Sequence, residues 1–83
     1  MLSFLLLRED RPRPAYYRVE VEYNLFGEYS LTREWGAVGR YGGGGLQWYS
    51  NLREACLAAE KCRRQAIRRG YRAQKRVSEV VGP

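Results

Sequence analysis

The side chains best able to direct chemistry lie together in one short run, Arg33-Glu34-Trp35-Gly36-Ala37-Val38-Gly39-Arg40-Tyr41-Gly42. Glycines in such a run admit positive φ and let another backbone approach closely. A tryptophan among them offers a flat face to a sugar or base, and Arg33 and Arg40 stand within reach of phosphate, with Tyr41 adding a second ring. A tryptophan at a strand end is more often a plug for the core. The sequence leaves Trp35 open between these two uses.

Catalysis finds little support. The chain has no histidine, so it has no Ser-His or Cys-His pair and no imidazole base. Glu20 and Glu22, two residues apart, share one strand face, where carboxylates are ordinarily solvated neighbours of basic side chains. Gly42–Gly45 is followed by Leu46-Gln47-Trp48, whereas a phosphate loop requires Gly-Lys-Ser/Thr at a helix start. The Gly36-x-x-Gly39 and Gly39-x-x-Gly42 spacings are flanked by strands, unlike the helix-joining loop of KH modules. Cys56 and Cys62 fall six residues apart in one predicted helix, about 9 Å along its axis, too far for a disulfide between them. Two thiols alone are too few for a structural zinc site. Both are expected to be reduced, metal-free and buried as small apolar residues, which points to a cytoplasmic protein. The expectation is a non-enzymatic module without cofactor.

Charge is distributed unevenly. Residues 1–50 hold six Lys/Arg and six Asp/Glu, while residues 51–83 hold nine against three and so carry the whole net charge of +6. A basic C-terminal third suits a polyanion, with nucleic acid first and anionic membrane second. The competing reading is a solvated basic face. Arg64, Arg68 and Arg72 are the candidate phosphate contacts in this part of the chain.

The elements that must position these residues follow an α+β order. With 83 residues the chain is read as a single domain. Its longest apolar stretch, Leu2–Leu7 interrupted by Ser3, is far below the roughly 20 residues of a membrane span. Met1–Arg8 reads as a strand, and Arg11-Pro12-Arg13-Pro14 breaks it. Ala15–Asn24 alternates cleanly, with Ala15, Tyr17, Val19, Val21 and Tyr23 on one face. Tyr29–Trp35 forms the next strand, with Tyr29, Leu31, Arg33 and Trp35 sharing a face. Leu46–Tyr49 is a further strand after the glycines. A helix is predicted near Asn51–Arg69: Asn51 and Glu54 form a capping box, and Leu52, Ala55, Cys56, Ala59, Cys62, Ala66 and Ile67 recur at helical spacing. Gly70 is its natural stop. Arg63 falls inside the apolar arc, where it either snorkels to the rim or reaches a functional surface. Tyr71–Val80 is read as a closing strand. The result is a small antiparallel sheet of about four to six strands with one long helix packed across it.

At these residues the chain resembles the WGR domain family. Trp35-Gly36-Ala37-Val38-Gly39 is similar to the family's Trp-Gly-Arg-Val/Ile-Gly signature, with Gly42 at the glycine three further on. The run Leu25–Gly36 resembles the stand-alone bacterial branch, and Ser50–Ala55 with Arg68-Arg69-Gly70-Tyr71 resembles the family's helix and its Gly-Tyr close. The resemblance covers Tyr16 to Arg72. It implies an antiparallel sheet with one helix. In DNA-dependent poly(ADP-ribose) polymerases this domain contacts DNA at a break and relays binding to the catalytic domain. There the motif tryptophan packs near the terminal sugar and the motif arginine reaches backbone or a neighbouring domain. Trp35 and Gly36 inherit these roles by resemblance. Ala37 stands where the signature has arginine, leaving Arg33 and Arg40 as candidate replacements, and Ala66 stands where lysine is frequent.

The combined expectation is a nucleic-acid-binding module, DNA foremost, acting through Trp35, Gly36, Arg33, Arg40, Tyr41, Arg64, Arg68 and Arg72. The alternative is a protein-interaction or self-association module that uses the Trp35–Tyr41 segment as its surface.

Overall fold

The computed structural model describes residues 2–10 and 12–74. Among these residues, five strands and one helix follow in the order β1 (Leu2–Arg8), β2 (Ala15–Tyr23), β3 (Tyr29–Ala37), β4 (Gly43–Tyr49), α1 (Leu52–Arg68) and β5 (Arg72–Ala73). They form a single sheet, β4-β3-β2-β1-β5, with every pairing antiparallel. α1 packs across one face of it.

The alternation in β2 sets the register. Tyr17, Val19 and Val21 are buried, with Leu6, Phe4 and Leu2 opposite them on β1 and Trp35, Arg33 and Leu31 opposite them on β3. Because a strand's side chains alternate with period two, all of these positions share the helix-bearing face. The helix covers them with small residues. Ala55, Ala59, Cys62 and Ala66 recur at intervals of four, three and four, and they are its buried positions. Small side chains there let the helix axis approach the larger Leu6, Val19, Val21 and Leu31.

The helix ends are well determined. Asn51 Oδ1 accepts a hydrogen bond from the Glu54 backbone N–H at 2.8 Å, the N-cap contact. At the other end Gly70 donates to the Ile67 carbonyl and Tyr71 to the Ala66 carbonyl, the paired bonds of a Schellman stop. That stop needs a left-handed residue, and Gly70 supplies it with φ +96°.

Several boundaries differ from expectation. β3 runs two residues past Trp35, and β4 starts at Gly43 instead of Leu46, so much of the glycine stretch is strand. Leu52 and Ile67 are exposed, because they lie at the margins of the helix face that meets the sheet. Cys56 is half-buried instead of buried, while Cys62 is in the core, and both are free. The closing strand is Arg72–Ala73, with Gln74 donating to the Leu5 carbonyl. The remainder of the Tyr71–Val80 expectation, and Met1, lie outside the described residues. Among the described residues no helix is long and apolar enough to cross a membrane.

Candidate nucleic-acid interface

Pairing of Tyr17 with Trp35 across β2 and β3 brings their rings together on the helix-bearing face. The rings stack with centroids 6.0 Å apart and planes 15° apart. Tyr71, placed by the Schellman stop, meets Tyr17 edge-on at 5.9 Å. A guanidinium sits at each end of this aromatic row: Arg33 is 5.9 Å from the Trp35 ring, and Arg8 is 4.8 Å from the Tyr71 ring. Arg8 Nη1 also donates to the Arg69 carbonyl at 3.2 Å, tying β1 to the end of the helix. Burial pushes the Tyr17 hydroxyl above its ordinary range. The Cys62 thiol adds to the rise, and nearby Arg33 pulls against it.

Two cavities share this face. One, of about 280 Å³, is lined by Tyr17, Arg33, Trp35, Gln65, Arg69 and Tyr71. The other, of about 320 Å³, lies toward β4 and is lined by residues that include Arg33, Gln47, Tyr49, Lys61 and Gln65. Arg33 and Gln65 belong to both, so the two form one groove between α1 and the β3–β4 side of the sheet. Lys61, Gln65 and Arg69 are spaced i, i+4, i+8 and fall on one helix stripe along it. The groove thus collects three cations, Arg33, Lys61 and Arg69, beside stacked rings and amide groups. A desolvated aromatic floor with cations at its walls suits a phosphate–sugar chain.

The glycines explain how β4 accommodates this arrangement. A β-carbon on Gly43 would lie 3.1 Å from the Trp35 indole, and one on Gly45 would lie 2.6 Å from Arg33 Nη2. Both side chains of β3 therefore lie across bare backbone of β4. Gly36 and Gly42 serve a separate need, because their backbones pass so closely that a β-carbon on Gly42 would come within 2.4 Å of the Trp35 carbonyl oxygen. The Trp-Gly pair is thus partly a requirement of the β3–β4 turn.

The other candidate residues are dispersed. Arg40 is exposed in that turn. Tyr41 lies on the opposite face of the sheet, its hydroxyl 3.6 Å from where a Gly44 β-carbon would stand. The Trp35–Tyr41 segment therefore does not present one continuous surface. Arg64 and Arg68 are exposed on the side of α1 turned away from the sheet, and Arg72 lines a different cavity with Leu7, Glu9, Asp10, Ile67 and Tyr71. Arg63 makes a bidentate contact with Glu60, holding that carboxyl below its usual range, and stays at the helix surface. Sequence reading passed over Lys61, Gln65, Arg69, Tyr17 and Tyr71 as site residues. The 61–65–69 stripe was the available signal. Among the described residues no group of three or more metal-ligating side chains converges.

A family model described as the WGR domain matches residues 4–78. The chain belongs to the WGR domain family. The family is of nucleic-acid-binding type. No curated protein and no solved structure matches the chain. Within this WGR domain the departure at Ala37 takes on a structural meaning. Arg33, Trp35 and Ala37 alternate onto the same face, so the position without its arginine lies two residues beyond Trp35 and the groove's own guanidinium lies two residues before it. Ala66 of the WGR helix is buried against the sheet and has no outlet to the groove.

Proposed function

We propose that this chain is a non-catalytic cytoplasmic module that binds DNA through its sugar–phosphate backbone in the groove between α1 and β3–β4. The observation that supports the reading is the convergence of Arg33 and Arg69 on the stacked Tyr17–Trp35 pair, with Lys61 extending the cationic wall. Arg33, Lys61 and Arg69 make the phosphate contacts. Trp35 gives a terminal or unpaired nucleotide a ring edge to pack against, and Gln65 donates to phosphate or sugar oxygens. Backbone contacts position a ligand without reading its sequence, so little sequence preference is expected.

Fluorescence anisotropy with labelled duplex, nicked and single-stranded DNA over a salt series tests this. Three phosphate contacts at a slope of roughly −0.9 each give a total of about −3 in log K against log salt. Binding absent at low salt, or indifferent to salt, would overturn the proposal in favour of protein interaction. The apolar cavity on the opposite face, lined by Leu5, Leu7, Tyr16, Arg18, Glu34 and Val38, favours that second reading.

A further inference from the structure

β4 ends the sheet on the groove side, and among the described residues no strand lies beyond it. Part of its backbone N–H and C=O groups therefore faces outward as a template for another strand. Folded proteins commonly blunt such edges with lysine, proline or a bulge. β4 has none of these. Its sequence Gly-Gly-Gly-Leu-Gln-Trp-Tyr is uncharged and lacks proline, and its register with β3 is unbroken from Tyr29↔Tyr49 to Trp35↔Gly43. Leu46 and Trp48 stand on the face away from the helix, beside Thr32 and Ser30 of β3, and are 58% and 52% exposed. This uncharged apolar edge belongs to a chain of net charge +6.

We infer that β4 is a self-association edge, on which a second copy of the chain pairs its own β4 antiparallel about a two-fold axis at Gln47. A two-fold contact must be self-complementary. Like charges directly opposite one another oppose strand pairing, and β4 is a strand on which two copies of this basic chain meet without placing any charge opposite its twin. Pairing about Gln47 sets Leu46 of each copy opposite Trp48 of the other on one face. The four side chains then form a single apolar strip over the junction, covering surface that the monomer leaves wet. The two sheets join into one with both helices on the same side. The Arg33–Lys61–Arg69 grooves of the two copies then flank the dyad, so that a long polyanion meets both. That last consequence rests on the DNA-binding reading; the strand pairing does not.

Sedimentation velocity of the full chain in high salt, from micromolar to near-millimolar concentration, tests the inference. The native chain should rise from monomer toward twice the mass, and the double variant Leu46→Thr, Trp48→Thr should stay monomeric with its thermal midpoint retained. Amide hydrogen exchange on the native chain should show protection rising with concentration in residues 43–49 alone, and this decides the matter even if the double variant misfolds. A native chain that stays monomeric throughout, a dimer that survives the double substitution, or protection arising on another element would overturn it. Arg33→Ala separates the two ideas, since it should weaken DNA binding and leave self-association intact. A monomer that binds DNA ends this inference and leaves the groove assignment standing.

Discussion

The indole of Trp35 lies across Gly43 of the neighbouring strand, so close that a β-carbon at 43 would sit 3.1 Å from Cε2, Cζ2 and Nε1. Two positions along, Arg33 lies across Gly45 in the same way. The two glycines should nevertheless respond differently to substitution. Gly43→Ala must displace a ring stacked on Tyr17 and should cost about 1–3 kcal/mol. Gly45→Ala meets only the tip of a flexible side chain and should change stability by less than about 0.5 kcal/mol, while moving the Arg33 guanidinium and weakening DNA binding. Urea denaturation of both variants checks this, and equal losses of stability would count against the packing described.

Trp35→Ala removes a half-buried ring with a stacking partner. It should cost about 2–4 kcal/mol, below the loss expected of a completely buried tryptophan. Arg40→Ala, at an exposed turn position, should stay within about 0.5 kcal/mol of the native chain. Thermal unfolding followed by circular dichroism measures both.

Among the basic residues the groove predicts a division. Arg33→Gln, Lys61→Gln and Arg69→Gln should each flatten the salt dependence of DNA binding by roughly 0.9. Arg64→Gln and Arg68→Gln, on the far side of α1, should leave the slope nearly unchanged. If the far-side pair flattens the slope and the groove residues do not, the interface lies on the wrong flank of the helix.

The raised hydroxyl of Tyr17 predicts a pH dependence with a definite sign. Its folded value lies above the unfolded value of about 10, so its contribution is fully present below that pH. The contribution is lost as pH rises through the interval between the unfolded and folded values. Denaturation midpoints measured above pH 9 should therefore fall more steeply for the native chain than for Tyr17→Phe. Parallel curves would show that Tyr17 does not contribute.

Asn51→Ala removes the acceptor for the Glu54 amide and should destabilise the chain by about 1 kcal/mol. Asn51→Asp keeps an acceptor and should restore most of that loss in the same unfolding assay.

What the sequence determined by itself was local. Strand β2 is legible because Tyr17, Val19 and Val21 alternate with polar residues, and period two has one structural meaning. The helix is legible because Asn51 and Gly70 mark its ends by chemistry that acts within a few residues. Trp35 and Arg33 could be placed on one face for the same reason. The tertiary structure decided everything that depends on neighbours distant in the chain. Glycines 43 to 45 read as a loop by composition, yet they form strand because β3 supplies a hydrogen-bonded partner and side chains that cover them. Arg64 and Arg68 are as basic as Arg69, but the rotation of α1 on the sheet turns Lys61 and Arg69 toward the groove and leaves Arg64 and Arg68 on the far side. Tyr41 follows Trp35 by six residues and still emerges on the other face, because the turn between β3 and β4 interrupts the alternation that a continuous strand would keep. Local periodicity settles which face of its own element a residue occupies, and only packing between elements settles which faces meet.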